Sequence, residues 1–159
     1  MQDIAKYTEA ARLEIEGLHT FFDDWFGGLV DKSDQVFDER FSARFDTDCI
    51  LIQPGGVALG YDQFKNGVKG GHGSSPGFKV QIRNVEVRPL GNTPNADNII
   101  LVTYEEWQKN AINSSPPNNG RAASVIFKIV QNDPVTLKWY HIHETWLPKS
   151  VMDVDDFDF

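Results

Sequence analysis

Apolar residues recur along the first part of the chain at steps of three and four. Ile4, Tyr7, Ala11, Ile15, Leu18, Phe22 and Trp25 fall on one stripe, which predicts an amphipathic helix from about Asp3 to Phe26. Gly27-Gly28 ends it, because glycine takes the left-handed conformation that a helix terminus uses. A short second helix is expected from about Asp34 to Phe41, capped by Ser33 or Asp34, with Val36, Phe37 and Phe41 inward. Phe45 to Gln53 reads as a strand stopped by the turn Pro54-Gly55-Gly56. The short stretch Val57–Gly60 and a helix of one or two turns, Tyr61 to Lys69, come next, with Phe64 and Val68 turned inward. Gly70 to Gly77 must be loop. Four strands are expected at Phe78–Leu90, Asn98–Lys109, Arg121–Val130 and Val135–Leu147, separated by turns rich in Asn, Gly and Pro. Consecutive strands joined this way make a curved antiparallel sheet, and the helices, each with one apolar stripe, must cover one of its faces.

Composition narrows the class without changing this picture. The 159 residues fit one domain, expected over 1–148, with an acidic tail over 149–159 that is mobile from Asp153 onward. The net charge of −8, with 15 scattered basic residues, argues against nucleic acid as a partner. No run reaches the ~18 apolar residues of a membrane span, and Met1-Gln2-Asp3-Ile4 does not open a signal peptide. The protein is expected in the cytoplasm, without a membrane partner. The single cysteine, Cys49, lies in an apolar run and reads as a core residue.

Three local signatures then matter in combination. They are Phe45 to Gly56 followed by Gly60, Gly120-Arg121 opening a strand, and Trp139-Tyr140-His141-Ile142-His143-Glu144-Thr145-Trp146 near the end. With the element order, they resemble the nuclear-transport-factor-two-like superfamily, over roughly residues 5 to 148. The resemblance implies an α+β, cystatin-like fold, a cone-shaped curved sheet wrapped around helices and enclosing a small-molecule pocket. It also implies a homodimer through the outer face of the sheet. Ketosteroid isomerase, a member, carries an Asp base before a proline, where this chain has Gln53 before Pro54. It carries a buried Asp on a late strand where this chain has Val125. Isomerase chemistry in that form is therefore not expected.

The last strand is densest in polar chemistry. Alternation puts Tyr140, Ile142, Glu144 and Trp146 on one face, and Trp139, His141, His143 and Thr145 on the other. The resemblance places the first set toward the pocket. Glu144 would be a carboxylate in an apolar cone, raised by desolvation toward a useful base, or else an ion-pair partner of Arg121. The same alignment turns Thr103, Glu105 and Trp107 inward, so that Glu105 and Glu144 form an acid/base couple. Arg121 is a candidate anchor for a ligand carboxylate. Trp25, Gln53, Trp107 and Tyr140 are candidate ligand contacts. His141 and His143 could share a metal, but a cupin-like set needs more ligands downstream, so they read as sheet-surface or interface histidines and neither metal nor cofactor is expected. His19 is expected on a helix face and is given no role.

Three readings stand. The leading one is a homodimeric pocket protein binding a small, partly apolar ligand. The second is an isomerase-, dehydratase- or hydrolase-type enzyme using Glu144 and Glu105. The third is a dimerisation domain without chemistry, whose cone is plugged by its own side chains.

Overall fold

The stripe read from the sequence is the buried face of α1, Ile4–Phe26, with Tyr7, Ala11, Ile15, Leu18, Phe22 and Trp25 in the core. Phe21 and His19 are buried beside it, so the inward face is wider than one stripe, while Ile4 at the tip is half exposed. In the computed structural model, which describes residues 4–90 and 98–159, α1 stops where Gly28 takes a φ of +69°. The helix start expected at Asp3 and the connection expected between Leu90 and Asn98 fall on residues 1–3 and 91–97, outside the described residues.

The short helix α2, Asp34–Arg40, is capped as expected, the Ser33 hydroxyl accepting from the amide of Val36 at 3.1 Å. A 3-10 turn, Ser42–Arg44, leads into β1, Phe45–Ile52, and β2, Ala58–Gly60. Helix α3, Tyr61–Gly70, is pinned to α1 by the Trp25 indole, whose N–H donates to the Val68 carbonyl at 2.8 Å. The meander β3 (Lys79–Pro89), β4 (Ile99–Lys109), β5 (Asn119–Asn132) and β6 (Val135–Trp146) follows, and α4, Lys149–Met152, comes after it.

The described strands form one sheet in the order β2-β1-β6-β5-β4-β3. The meander is antiparallel, as read, but β1 joins it parallel to β6, so the curved sheet is mixed. Helix α1 crosses its concave face, packing on β3 and β6, and the Trp139 indole donates to Glu14 at 3.0 Å across that seam. An aromatic cluster of Phe21, Trp25, Phe37, Phe41 and Phe45 closes the narrow end. Cys49 is core as read, 1% exposed, its thiol pushed up to about 12 by burial and the nearby Asp46 charge.

Two details depart from expectation. In the β5–β6 ladder, Ile126 faces His141 and Phe127 faces Trp139, leaving Tyr140 as the extra residue of a β-bulge. The bulge reverses the alternation, so Trp139 points inward, together with Ile142 and Glu144. The tail, expected to be mobile, lies back on the convex face. Asp155 pairs with Arg83 at 2.6 Å, and the Phe157 ring meets Trp107 edge-on at 5.6 Å. Among the described residues no helix is long and apolar enough to cross a membrane.

Candidate functional site

Between α1, α3 and the concave face lies a cavity of about 250 Å³, small beside pockets for drug-sized ligands. One end is apolar, walled by Phe22, Phe26, Leu51, Phe64, Val68 and Ile142. The other end is polar, and strand register assembles it. Tyr104, Ala123 and Glu144 form one inward row across β4, β5 and β6, and Glu106, Arg121 and Trp146 form the next. Ala123 carries only a methyl group, which leaves room above it between Tyr104 and Glu144.

His19 reaches this end from α1. Its Nδ1 lies 2.7 Å from the Ile15 carbonyl and its Nε2 lies 3.1 Å from Glu106 Oε2. A carbonyl can only accept, so Nδ1 carries a proton, and a contact between Nε2 and an ionised carboxylate requires a second one. The charges around the pair favour an imidazolium beside a carboxylate. Burial opposes charge on His19, but the Glu106 charge and hydrogen bond outweigh it and raise the histidine. Burial likewise pushes Glu106 up, but His19, Arg121 and the Gln108 amide outweigh it and hold Glu106 at about 2.

Arg121 acts on both carboxylates through its charge and bonds Glu144 directly. It donates to Glu144 Oε2 at 2.9 Å, and to Gln108 and Asn119 side-chain oxygens at 3.2 Å each, while its Nε–H is buried without an acceptor. Glu144 moves in the opposite sense to Glu106. Burial and the Glu106 charge raise it to about 7, against the pull of Arg121 and His19. Its Oε1 has no hydrogen bond to a described residue. The Tyr104 phenol, also without one, is held well above its ordinary value by burial and both glutamates, so it is a neutral O–H in the cavity wall. The arrangement thus sets a near-neutral carboxyl, a phenol and a buried ion pair around one space.

Of the residues singled out from the sequence, Gln53, Arg121 and Glu144 line the cavity. The ion-pair and shifted-carboxyl readings of Glu144 both apply. The inward face of β4 is the other one. Glu105 points outward, accepting from Asn84 at 3.2 Å and from Trp107 at 3.1 Å, and Glu106 takes the place expected for it beside Glu144. Trp107 is buried on the convex side beneath Arg83 and Phe157. Tyr140 is turned out by the bulge and lies under the Lys128 ammonium at 4.1 Å. Trp25 is core and does not line the cavity. His141 and His143 lie on the convex face, and no group of three His, Cys, Asp or Glu among the described residues could hold a metal ion. Sequence reasoning passed over His19, Tyr104, Glu106 and Gln108. His19 was within reach, because it lies four residues after Ile15 and three before Phe22, on the stripe itself.

Solved structures with the same architecture are numerous. An NTF-2 like protein of unknown function from Pseudomonas aeruginosa is 24% identical, with a TM-score of 0.71 over 87% of this chain and 99% of that one. An uncharacterized protein with a cystatin-like fold from Caulobacter vibrioides is 15% identical, with a TM-score of 0.64 over 93% and 94%. A protein provisionally described as a scytalone dehydratase, from Novosphingobium aromaticivorans, is 12% identical, with a TM-score of 0.63 over 89% and 85%. No curated protein matches the sequence. These likenesses give the fold, which is that of the NTF2-like superfamily. Residues 12–148, most of the chain and all of the site, match the family described as sucrose-6-phosphate phosphohydrolase C-terminal, and the chain belongs to that family.

Proposed function

We propose that the protein is a small proton-transfer enzyme of isomerase or dehydratase type, holding a small, partly apolar substrate in the cone. The observation that carries this is Glu144: a buried carboxyl raised to about 7, with one oxygen unbonded, at the polar end of an apolar cavity. A base works best when its pKa lies near the working pH. Tyr104 is the neighbouring donor suited to a developing negative charge, and the His19–Glu106 pair holds the surrounding field fixed. The acid/base partner expected on β4 is thus replaced. Glu106 is ionised and paired, and acts on Glu144 through its charge. The provisional description of the Novosphingobium protein as a dehydratase is in keeping with this reading. An open cavity speaks against a cone plugged by its own side chains. A homodimer and a cytoplasmic location belong to the same proposal.

The test is deuterium uptake from D₂O by a panel of small ketones and β-hydroxy acids, followed by proton NMR. Wild-type protein is expected to exchange the proton beside the carbonyl of at least one compound, and Glu144→Gln to lose about 10²-fold or more of that rate. Undiminished exchange in Glu144→Gln sinks the assignment. Panel members that bind without exchanging leave ligand binding alone as the function.

A further inference from the structure

The main cavity does not end at Arg121. A second compartment of about 220 Å³ adjoins it through Phe26, Phe78, Gln108 and Arg121, which line both. Two loops build its outer wall, the 71–78 segment and the 110–118 segment. The Asn110 amide bridges them, donating to the Gly77 carbonyl at 2.8 Å. Each is also fixed internally or to α1. The Ser75 amide donates to the Phe26 carbonyl at 2.9 Å, Ala111 to Pro117 at 3.0 Å, and Asn110 to the Asn118 side chain at 3.0 Å. The wall is therefore preformed.

Its chemistry differs from that of the main cavity. Ser74, Ser75, Asn113 and Ser114 present hydroxyl and amide groups whose side chains make no hydrogen bond to another described residue. Among the described residues the wall has no carboxylate, although the chain as a whole carries a net charge of −8. Arg121 supplies the one charge, and one of its N–H groups is left without an acceptor. Its Nη groups donate to Glu144, Gln108 and Asn119, and only the buried Nε–H has no acceptor. Neutral donors around a guanidinium with one N–H unpaired suit a planar monoanion, which accepts from several N–H and O–H groups at once. A dianion would leave a second charge uncompensated in a half-enclosed space.

We infer that this compartment is the second half of the ligand site and takes a carboxylate carried at the far end of the partly apolar molecule whose body lies in the main cavity. The inference rests on the reading that the main cavity holds such a molecule, and it names the class, a small aryl or alkyl carboxylic acid. Arg121 serves both halves, holding Glu144 on one side and the carboxylate on the other.

The probes are ω-phenyl carboxylates from benzoate to 5-phenylpentanoate, their primary amides, and phenyl phosphate, titrated calorimetrically into the full chain. At least one acid is expected to bind tenfold or more tightly than its amide, with an optimum chain length set by the distance between compartments. The triple variant Ser75→Ala, Asn113→Ala, Ser114→Ala is expected to cut that preference below threefold, with an unchanged circular dichroism spectrum reporting an intact fold. Equal affinity of acid and amide overturns the inference, as does an unaltered preference in the variant. Phenyl phosphate binding above the best acid overturns the choice of a monoanion. Binding by neither series overturns the parent reading along with this one. A carboxylate preference without Glu144-dependent exchange upholds the compartment and removes the proton-transfer proposal alone.

Discussion

Glu106 and Glu144 stand at the same end of one cavity, and their surroundings drive their protonation apart. The stability of the fold must record this. A group raised in the folded state adds stability below its unfolded value and loses it as pH climbs through its folded one. Glu144, raised to about 7, and Asp23, raised to about 6 by burial against its hydrogen bond from Val80, both act in that sense. So does His19, raised chiefly by Glu106 against the opposing effect of burial. Glu106, held at about 2, acts oppositely and costs stability only as pH falls below the ordinary glutamate range. The melting temperature is therefore expected to peak at about pH 4, where Glu106 is still ionised and Glu144 and Asp23 are still protonated in the fold, and to fall toward pH 8. In Glu144→Gln the descent between about pH 4.5 and 7 is expected to flatten, because the proton taken up on folding is gone. Calorimetric scans of both proteins across this range check it, and parallel curves would mean that Glu144 is not the raised group.

At the level of elements, the end of α1 is the tightest local demand on sequence. Gly28 sits at φ +69°, and a Cβ there would meet the Gly73 Cα at 3.2 Å. Gly28→Ala is expected to cost about 1–2 kcal/mol from the left-handed backbone alone. Gly55→Ala, whose Cβ meets nothing within 4 Å, is expected to be nearly neutral, and urea denaturation of the two compares them. Helix positions, the Ser33 cap and most strand limits were legible in the sequence, because periodicity and turn residues report local structure directly. The inward faces of the strands were not. On β4 both faces are apolar at the start, Ile99 and Leu101 against Ile100 and Val102, so composition could not choose Glu106 over Glu105. On β6 a one-residue bulge at Tyr140 undoes the alternation ahead of Ile142, which moved Trp139 inside while leaving Glu144 where simple counting put it. Parallel pairing of β1 with β6 is a long-range choice that neither strand's own pattern encodes.

On the scale of the whole molecule, the two faces of the sheet have separate roles. The concave face holds the cavity, and the convex face is shared by the tail and an open strip that includes Ile50, 43% exposed, and His143. The tail's composition hid its docking, because Asp153 to Phe159 reads as acidic and solvated. Its phenylalanines and carboxylates instead meet complementary groups on β3 and β4. Phe157 covers Trp107, Asp155 takes Arg83, and the Lys109 ammonium lies 5.0 Å from the Phe159 ring. Uncovering Trp107, which is 2% exposed, forfeits about 2 kcal/mol of apolar burial, and the partly exposed ion pair adds less. A chain ending at Asp153 is therefore expected to melt roughly 4–8 °C lower than the full chain, with tryptophan emission shifted to the red. The carboxylate preference should be intact, because the tail and the cavity lie on opposite sides of the sheet. Light scattering on the same two samples tests the proposed dimer, whose mass would be twice the 18.0 kDa of one chain. If the dimer forms on the open strip, it should survive removal of the tail. If dimer and thermal stability are lost together, the tail is itself part of the interface, and the strip carrying Ile50 is not the surface that joins the copies.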